Sequence, residues 1–295
     1  MKKILALAMA AAMTLSMAAC GGGNSNAPAN STPAASSNPP AASGNQGGSS
    51  AGASTPASDG YGEFTTVEPG KLIMSTEATF PPYEMIADDG SFIGIDVEVA
   101  QAIADKLGLE LQVDNMGFDA ALTAAQTGQS DIAMAGITVN EERLAVMDFS
   151  DSYATGVQVV IVKEDSPIQT IDDLSNAEMI GTQKATTGYI YCSAAPEDDG
   201  YGEDHVTAYD TGALAVMALV NGQIDAVVID NEPAKAFVAQ NPGLKILDTE
   251  FAVEDYAIGV AKGNTDLLHA INTAMAELIK EGTFQQIVDK YITAE

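Results

Sequence analysis

The sequence predicts an α/β fold with largely parallel sheets, and three observations predict it. Short apolar runs fit for strands alternate with stretches whose apolar residues recur at helical spacing. Gly stands where most of those helical stretches stop, the usual place of a left-handed C-cap. One unit also occurs twice: Ala121-Leu122 leading to Gly128-Gln129-Ser130-Asp131-Ile132-Ala133, and Ala218-Leu219 leading to Gly222-Gln223-Ile224-Asp225-Ala226-Val227. Each copy reads as a helix, a Gly stop, a Gln-x-Asp turn and a buried strand. Helix-to-strand turns favour Gly and Asp in any case, so the repeat fits either two lobes of similar design or a shared local device. Two facing α/β lobes are a common place for a small ligand.

The elements follow in order. Residues 71–75 (KLIMS) make a short apolar strand. Asp96 is the expected N-cap of a helix in which Val97, Ala100, Ile103, Ala104 and Leu107 recur at helical spacing and Gly108 closes the end. Residues 109–113 read as a strand, 120–127 as a helix stopped by Gly128, and 131–137 as a buried strand. Residues 157–163 form a strong strand and 178–181 a short one. Residues 213–220 form a helix stopped by Gly222, 225–229 a strand, and 267–280 an amphipathic helix ending at Gly282.

Composition narrows the function. The 295 residues carry 12 Lys and Arg against 41 Asp and Glu, a formal charge of −29. That balance argues against nucleic acid and against charge-driven attachment to an anionic membrane. Two Cys, Cys20 and Cys192, exclude a disulfide framework or a Cys-rich metal centre, and two His leave little for a His-based one. No metal and no cofactor are expected.

The first twenty residues read as an address. Lys2 and Lys3 precede an apolar run over 4–17, too short for a spanning helix; Ala18, Ala19 and Cys20 follow. This resembles a bacterial lipoprotein signal, with Met17 where that pattern usually has Leu, and it implies lipidation of Cys20. The mature chain then loses two lysines and its charge moves to −31. Cys192 would be the remaining thiol, expected to be buried and structural. Residues 21–58 hold only Gly, Ser, Asn, Pro, Ala, Thr and Gln, too little apolar surface to offset chain entropy. A disordered tether is expected over 21–60. No later stretch is long and apolar enough to span a bilayer.

Four segments could carry chemistry. In the first, Thr138 with Glu141 fits a capping box opening a helix, and Arg143 just inside it could clamp a carboxylate in bidentate fashion. The alternative is a routine cap with Arg143 paired to Glu142 or Asp148. In the second, Gln183, Lys184, Ala185, Thr186, Thr187 and Gly188 lie between a strand and a helix start, again suited to an anion, with no phosphate-loop motif. In the third, Asp230 ends an apolar strand, where open α/β sheets place ligands, and could receive an ammonium group or cap the next helix. In the fourth, Glu77, Phe80 and Tyr83 follow the first strand. Phe80 could stack on a ligand, as could Phe118, or both could be core. The acidic loop 198–204 lacks the alternating ligands of a calcium loop and reads as solvated.

In this order, Thr79-Phe80-Pro81-Pro82-Tyr83-Glu84, Gly94-Ile95-Asp96-Val97-Glu98, Ala135-Gly136-Ile137-Thr138 with Glu142-Arg143, and Asp148-Phe149-Ser150-Asp151-Ser152-Tyr153 resemble the polar amino-acid-binding proteins of ABC importers, the bacterial solute-binding proteins of family 3. The resemblance spans almost all of 71–291. It implies a periplasmic-binding-protein-like α/β fold of two lobes, residues 61–152 with 256–295 and residues 157–250, hinged at about 153–156 and 251–255. It implies that Arg143 binds the α-carboxylate of an amino acid with Thr138 and the Thr187–Gly188 backbone. Asp230 would bind the α-ammonium with the Gly136 carbonyl, Phe80 and Phe118 would sandwich the side chain, and Glu77 and Lys184 would reach its far end. The pattern looks most like glutamine-binding members, where Asp commonly stands at the place of Glu77; arginine, glutamate, histidine and cystine stay open. The expected partners are a free amino acid, an ABC permease with its ATPase, and the membrane through the lipid. The protein is expected to act as a monomer on the extracytoplasmic face. An enzyme on the same scaffold, such as a dehydratase, is the other class. No nucleophile–base pair shows for it, and neither His lies in a ligand segment.

Overall fold

The computed structural model describes residues 60–292. The leader, Cys20 and all but the last residue of the expected tether lie outside the described residues, as do the last three residues. No helix among the described residues is long and apolar enough to cross a membrane.

The first sheet has strand order β5-β1-β6-β14-β7, made by β1 (Lys71–Thr76), β5 (Glu110–Asn115), β6 (Ile132–Ala133), β7 (Met147–Phe149) and β14 (Gly259–Ala261). A small antiparallel sheet, β2 (Thr79–Phe80), β3 (Glu84–Ile86) and β4 (Phe92–Ile93), lies between β1 and the first helix in the chain. The second main sheet runs β10-β9-β11-β8-β12, with β13 also on β8. Its strands are β8 (Ala154–Lys163), β9 (Ile180–Gln183), β10 (Val206–Tyr209), β11 (Ala226–Asp230), β12 (Leu244–Ile246) and β13 (Ala252–Tyr256). The helices are α1 (Ile95–Leu107), α2 (Phe118–Gln126), α3 (Glu141–Val146), α4 (Thr187–Ser193), α5 (Gly212–Val220), α6 (Asn231–Gln240), α7 (Thr265–Glu281) and α8 (Thr283–Tyr291).

The fold class is α/β, but the sheets are mixed rather than largely parallel. Three adjacent strands of each main sheet pair in parallel, β5, β1 and β6 in one and β10, β9 and β11 in the other. The remaining pairings are antiparallel, through β14 in the first sheet and β8 in the second. In each main sheet the strand that runs against the others, β14 or β8, follows the strand before it with no helix between, so alternation of strands and helices does not mark its direction.

The repeated unit occupies equivalent places. The strand after each Gln-x-Asp turn is third in its sheet. In one copy Asp131 N–H donates to the Ile73 carbonyl, and its carboxylate takes the Ile73 N–H at 2.7 Å. In the other, Asp225 N–H donates to the Met179 carbonyl, and its carboxylate takes the N–H groups of Glu178 and Met179. The turn therefore staples the next strand to its neighbour by satisfying amides that would otherwise be left without acceptors.

Local chemistry explains the boundaries. Helix α7 buries Leu267, Ala270, Ile271, Ala274, Met275 and Leu278 on one face and stops at Gly282 in a left-handed conformation. Helix α1 starts one residue before its expected cap: Gly94 is the N-cap, and Asp96 lies buried in the first turn. Helix α3 is capped by Asn140, whose side chain accepts the Arg143 N–H at 2.8 Å, so the Thr138–Glu141 capping box does not form. The strand expected over 131–137 is paired only at Ile132 and Ala133, because the chain turns out of the sheet at Gly136. The strand expected over 178–181 is shifted to Ile180–Gln183, and that over 157–163 begins at Ala154, where β13 supplies a partner.

Candidate functional site

The parallel strands deliver the candidate residues. Glu77 follows β1, Gly136 and Thr138 follow β6, and Lys184 to Gly188 follow β9. Asp230 is the last residue of β11. All leave the C-terminal ends of parallel strands, where α/β sheets present backbone and side chains to a ligand.

A small cavity lies among them. Of the residues singled out in the sequence, Glu77, Phe80, Phe118, Gly136, Thr138, Arg143, Gln183, Thr186, Thr187 and Asp230 line it. Gly188 is buried one step away, against Gln158 and Val228. Lys184 is not brought to it. Its Nζ sits 3.1 Å from Asp210 and 3.5 Å from Asp119, on a partly exposed side chain. An ammonium keeps most of its hydration there, whereas the cavity would strip it.

Arg143 is 6% exposed, so the surface pairing with Glu142 or Asp148 does not occur. Its Nη1 donates to the Thr138 carbonyl at 2.7 Å and its Nη2 to the Ala185 carbonyl at 3.0 Å. The guanidinium lies 5.4 Å from the centre of the Phe118 ring. Those two bonds aim the fork and leave three of its five N–H groups for other acceptors. Burial pushes its pKa down, and the nearby Glu254 opposes that.

Asp230 stands at the N-cap position of α6, yet its side chain makes no capping bond. Its carboxylate instead accepts from the Tyr256 hydroxyl and from Gln158 Nε2, the latter at 2.8 Å. Burial pushes its pKa up to about 7, with Tyr256 pulling the other way.

Glu77 is buried, with Thr79 and Gln183 as hydrogen-bond donors to its carboxylate. Burial raises its pKa, and those two donors oppose the rise. Gly136 closes the wall between the aromatic rings. It has φ +56°, and a Cβ there would stand 2.9 Å from the Phe80 ring.

Gln183 also links Glu77 to the N–H of Gly212. Two contributors, Tyr256 and Glu254, were missed in the sequence and come from β13. Glu254 Oε2 accepts the hydroxyls of Thr138 and Thr187, each at 3.0 Å, and Gln158 Nε2 at 3.2 Å; its Oε1 is buried without a partner. A hydroxyl has one hydrogen, so both threonines then turn lone pairs, not donors, toward the cavity. No local motif marks β13: its strand is short and its polar residues alternate like any half-buried strand. Among the described residues no group of three or more His, Cys, Asp and Glu could hold a metal ion.

Comparison with known proteins places the chain in a family. A profile of the bacterial extracellular solute-binding proteins, family 3, matches residues 72–294. The L-cystine-binding protein TcyJ of Escherichia coli (strain K12) is 31% identical over 231 residues, 77% of this chain and 85% of that protein. The arginine-binding extracellular protein ArtP of Bacillus subtilis (strain 168) is 29% identical over the full length of both. The solved structure of an ancestral arginine-binding protein bound to arginine superposes with a TM-score of 0.70 at 38% identity, covering 76% of this chain and 98% of that one. These relatives are substrate-binding proteins, not enzymes, and the chain belongs to the bacterial extracellular solute-binding proteins of family 3.

Proposed function

We propose that this protein binds a cationic amino acid, arginine first, in the cavity and delivers it to an ABC permease from the outer face of the membrane, held there by lipid on Cys20. Arg143 takes the α-carboxylate and Asp230 the α-ammonium, while Phe80 and Phe118 flank the side chain. Glu77 takes the side-chain cation. The observation that carries the choice of ligand is the buried Glu77, whose donors Thr79 and Gln183 are both neutral. A buried carboxylate without a cation is costly, and a guanidinium removes the cost in bidentate fashion. The glutamine expectation needed Lys184 as a second distal donor, and Lys184 is paired with Asp119 and Asp210. The relatives named for arginine support the same choice.

We also infer that residues 61–152 with 256–295 and residues 157–250 act as two lobes that close on the ligand about 153–156 and 251–255. The pairing of β13 with the first residues of β8 supports this, since the two strands would carry the chain both ways through one ribbon.

Calorimetric titration of the purified protein with arginine, lysine, ornithine, histidine, glutamine and cystine tests the ligand. Arginine is expected to bind tightest. In Glu77→Gln its affinity is expected to fall by about tenfold or more, at least about 1.4 kcal/mol, with glutamine binding changed far less. Tightest binding by glutamine or cystine would overturn the cationic reading.

A further inference from the structure

Two of the segments that resemble the family, residues 79–84 and 94–98, contribute only Phe80 to the cavity wall. Each also carries a carboxyl group into the interior. Glu84 opens β3, Asp96 lies in the first turn of α1, and neither has any exposed surface. The two carboxyls lie beside each other, each acting on the other's proton affinity. Asp96 Oδ2 also accepts the backbone N–H of Gly136 and the hydroxyl of Tyr153, both at 2.9 Å. Gly136 lines the cavity, and Tyr153 immediately precedes β8.

With both groups ionised this cluster is inconsistent. Neither carboxylate has a hydrogen to give, and Glu84 Oε1, Glu84 Oε2 and Asp96 Oδ1 are all buried without a donor. The titratable groups around them offer no positive charge: Glu77 after β1, Tyr83 between β2 and β3, Tyr153 before β8 and Asp230 at the end of β11 are all acids. Two anions in contact where water is excluded repel strongly. One proton between them removes the repulsion and supplies the missing donor.

We propose that Glu84 and Asp96 are positioning residues for ligand binding: Glu84 keeps a proton and donates it to Asp96 Oδ1, and the Asp96 carboxylate fixed in this way anchors Gly136 in the cavity wall and Tyr153 at the start of β8. This rests on the cavity being the ligand site. Burial supports the proton's place, raising Glu84 well above the ordinary carboxylate range and Asp96 to about 6. Because the folded-state values are raised, the stabilisation is complete below the unfolded carboxyl values and is lost as pH rises through the folded ones.

The test uses the full chain as wild type, Glu84→Gln and Glu84→Ala. In deuterated buffer at about pH 8, above the Asp230 and Asp96 values, the wild type is expected to keep the infrared carbonyl stretch of a protonated carboxyl, and Glu84→Gln to lose it. Gln keeps a donor toward Asp96 without a charge, so arginine affinity in Glu84→Gln stays within about threefold of wild type, while Glu84→Ala loses about tenfold or more. The fall of the unfolding midpoint between about pH 6 and 9 is shallower in Glu84→Gln. A wild type with no such band at about pH 8, or a band unchanged by Glu84→Gln, would overturn the proposal. Equal arginine affinity in Glu84→Ala and wild type would overturn the positioning role. If arginine does not bind the wild type at all, the band and the pH profile still decide the carboxyl pair, and only the ligand assignment falls. If Glu84→Gln does not fold, the wild-type band decides alone.

Discussion

Arg143 shows how one residue is committed by its surroundings. Two of its N–H groups are bound to the Thr138 and Ala185 carbonyls, so the guanidinium is already oriented before a ligand arrives. Arg143→Ala is expected to cost about 2–5 kcal/mol of amino-acid binding, read by calorimetry. It should also lower stability by about 1–3 kcal/mol for the backbone acceptors left unpaired, read by thermal unfolding. Asp230 adds a pH dependence. Its carboxyl has a raised value of about 7 in the empty protein, so below that pH it holds a proton that an ammonium must displace. Affinity is expected to fall by up to about tenfold per pH unit below 7 and to level off above it. A flat profile from pH 5 to 8 in the wild type would remove Asp230 from the ammonium contact. Of the residue-scale features, Arg143, Asp230 and the two Phe were legible because charge and aromaticity at strand ends are visible locally. The displacement of Lys184 was not, because Asp119 and Asp210 come from other elements.

At the scale of elements, the loop after β6 is tightly constrained. Gly136 needs both a left-handed backbone and the absence of a side chain against Phe80 and Tyr256. Gly136→Ala is expected to destabilise by about 1–2 kcal/mol and to weaken ligand binding, measured by denaturant unfolding and titration on one preparation. Full retention of both would show that the loop moves freely. Helix ends set by Gly, such as Gly108 and Gly282, were readable because a left-handed cap leaves a residue-type mark. N-termini were read less well. Asp96 and Thr138 have the side chains of caps, but both are drawn into longer-range bonds, Asp96 to Gly136 and Tyr153 and Thr138 to Glu254. A cap preference worth about 1 kcal/mol yields to a buried network that would otherwise be left unsatisfied.

At the scale of the whole molecule, the interior is rich in acids. Glu77, Glu84, Asp96, Asp131 and Asp230 all have raised values, each chiefly through burial. Each therefore stabilises the fold at acid pH and loses that contribution as pH rises through its folded value. The formal charge of −29 adds repulsion in the same direction. The ligand-free protein is expected to unfold at a higher temperature near pH 5 than near pH 8, by scanning calorimetry. Ligand affinity should follow the opposite trend because of Asp230. A midpoint higher at pH 8 would mean that surface pairs such as Lys262 with Asp148, which favour the ionised acid, outweigh the buried groups.

The sequence by itself determined the α/β class, the repeated helix–turn–strand unit and most of the charged and aromatic residues around the cavity. These are properties of short segments, and periodicity, turn chemistry and strand-end placement express them locally. Tertiary structure decided the opposite runs of β14 and β8, the exclusion of Lys184, and the arrival of Gln158, Glu254 and Tyr256 beside Asp230 and the threonines. It also decided which acids lose their water, and so which of the many carboxylates hold a proton. Those outcomes depend on contacts between residues far apart in the chain, and desolvation has no local signature.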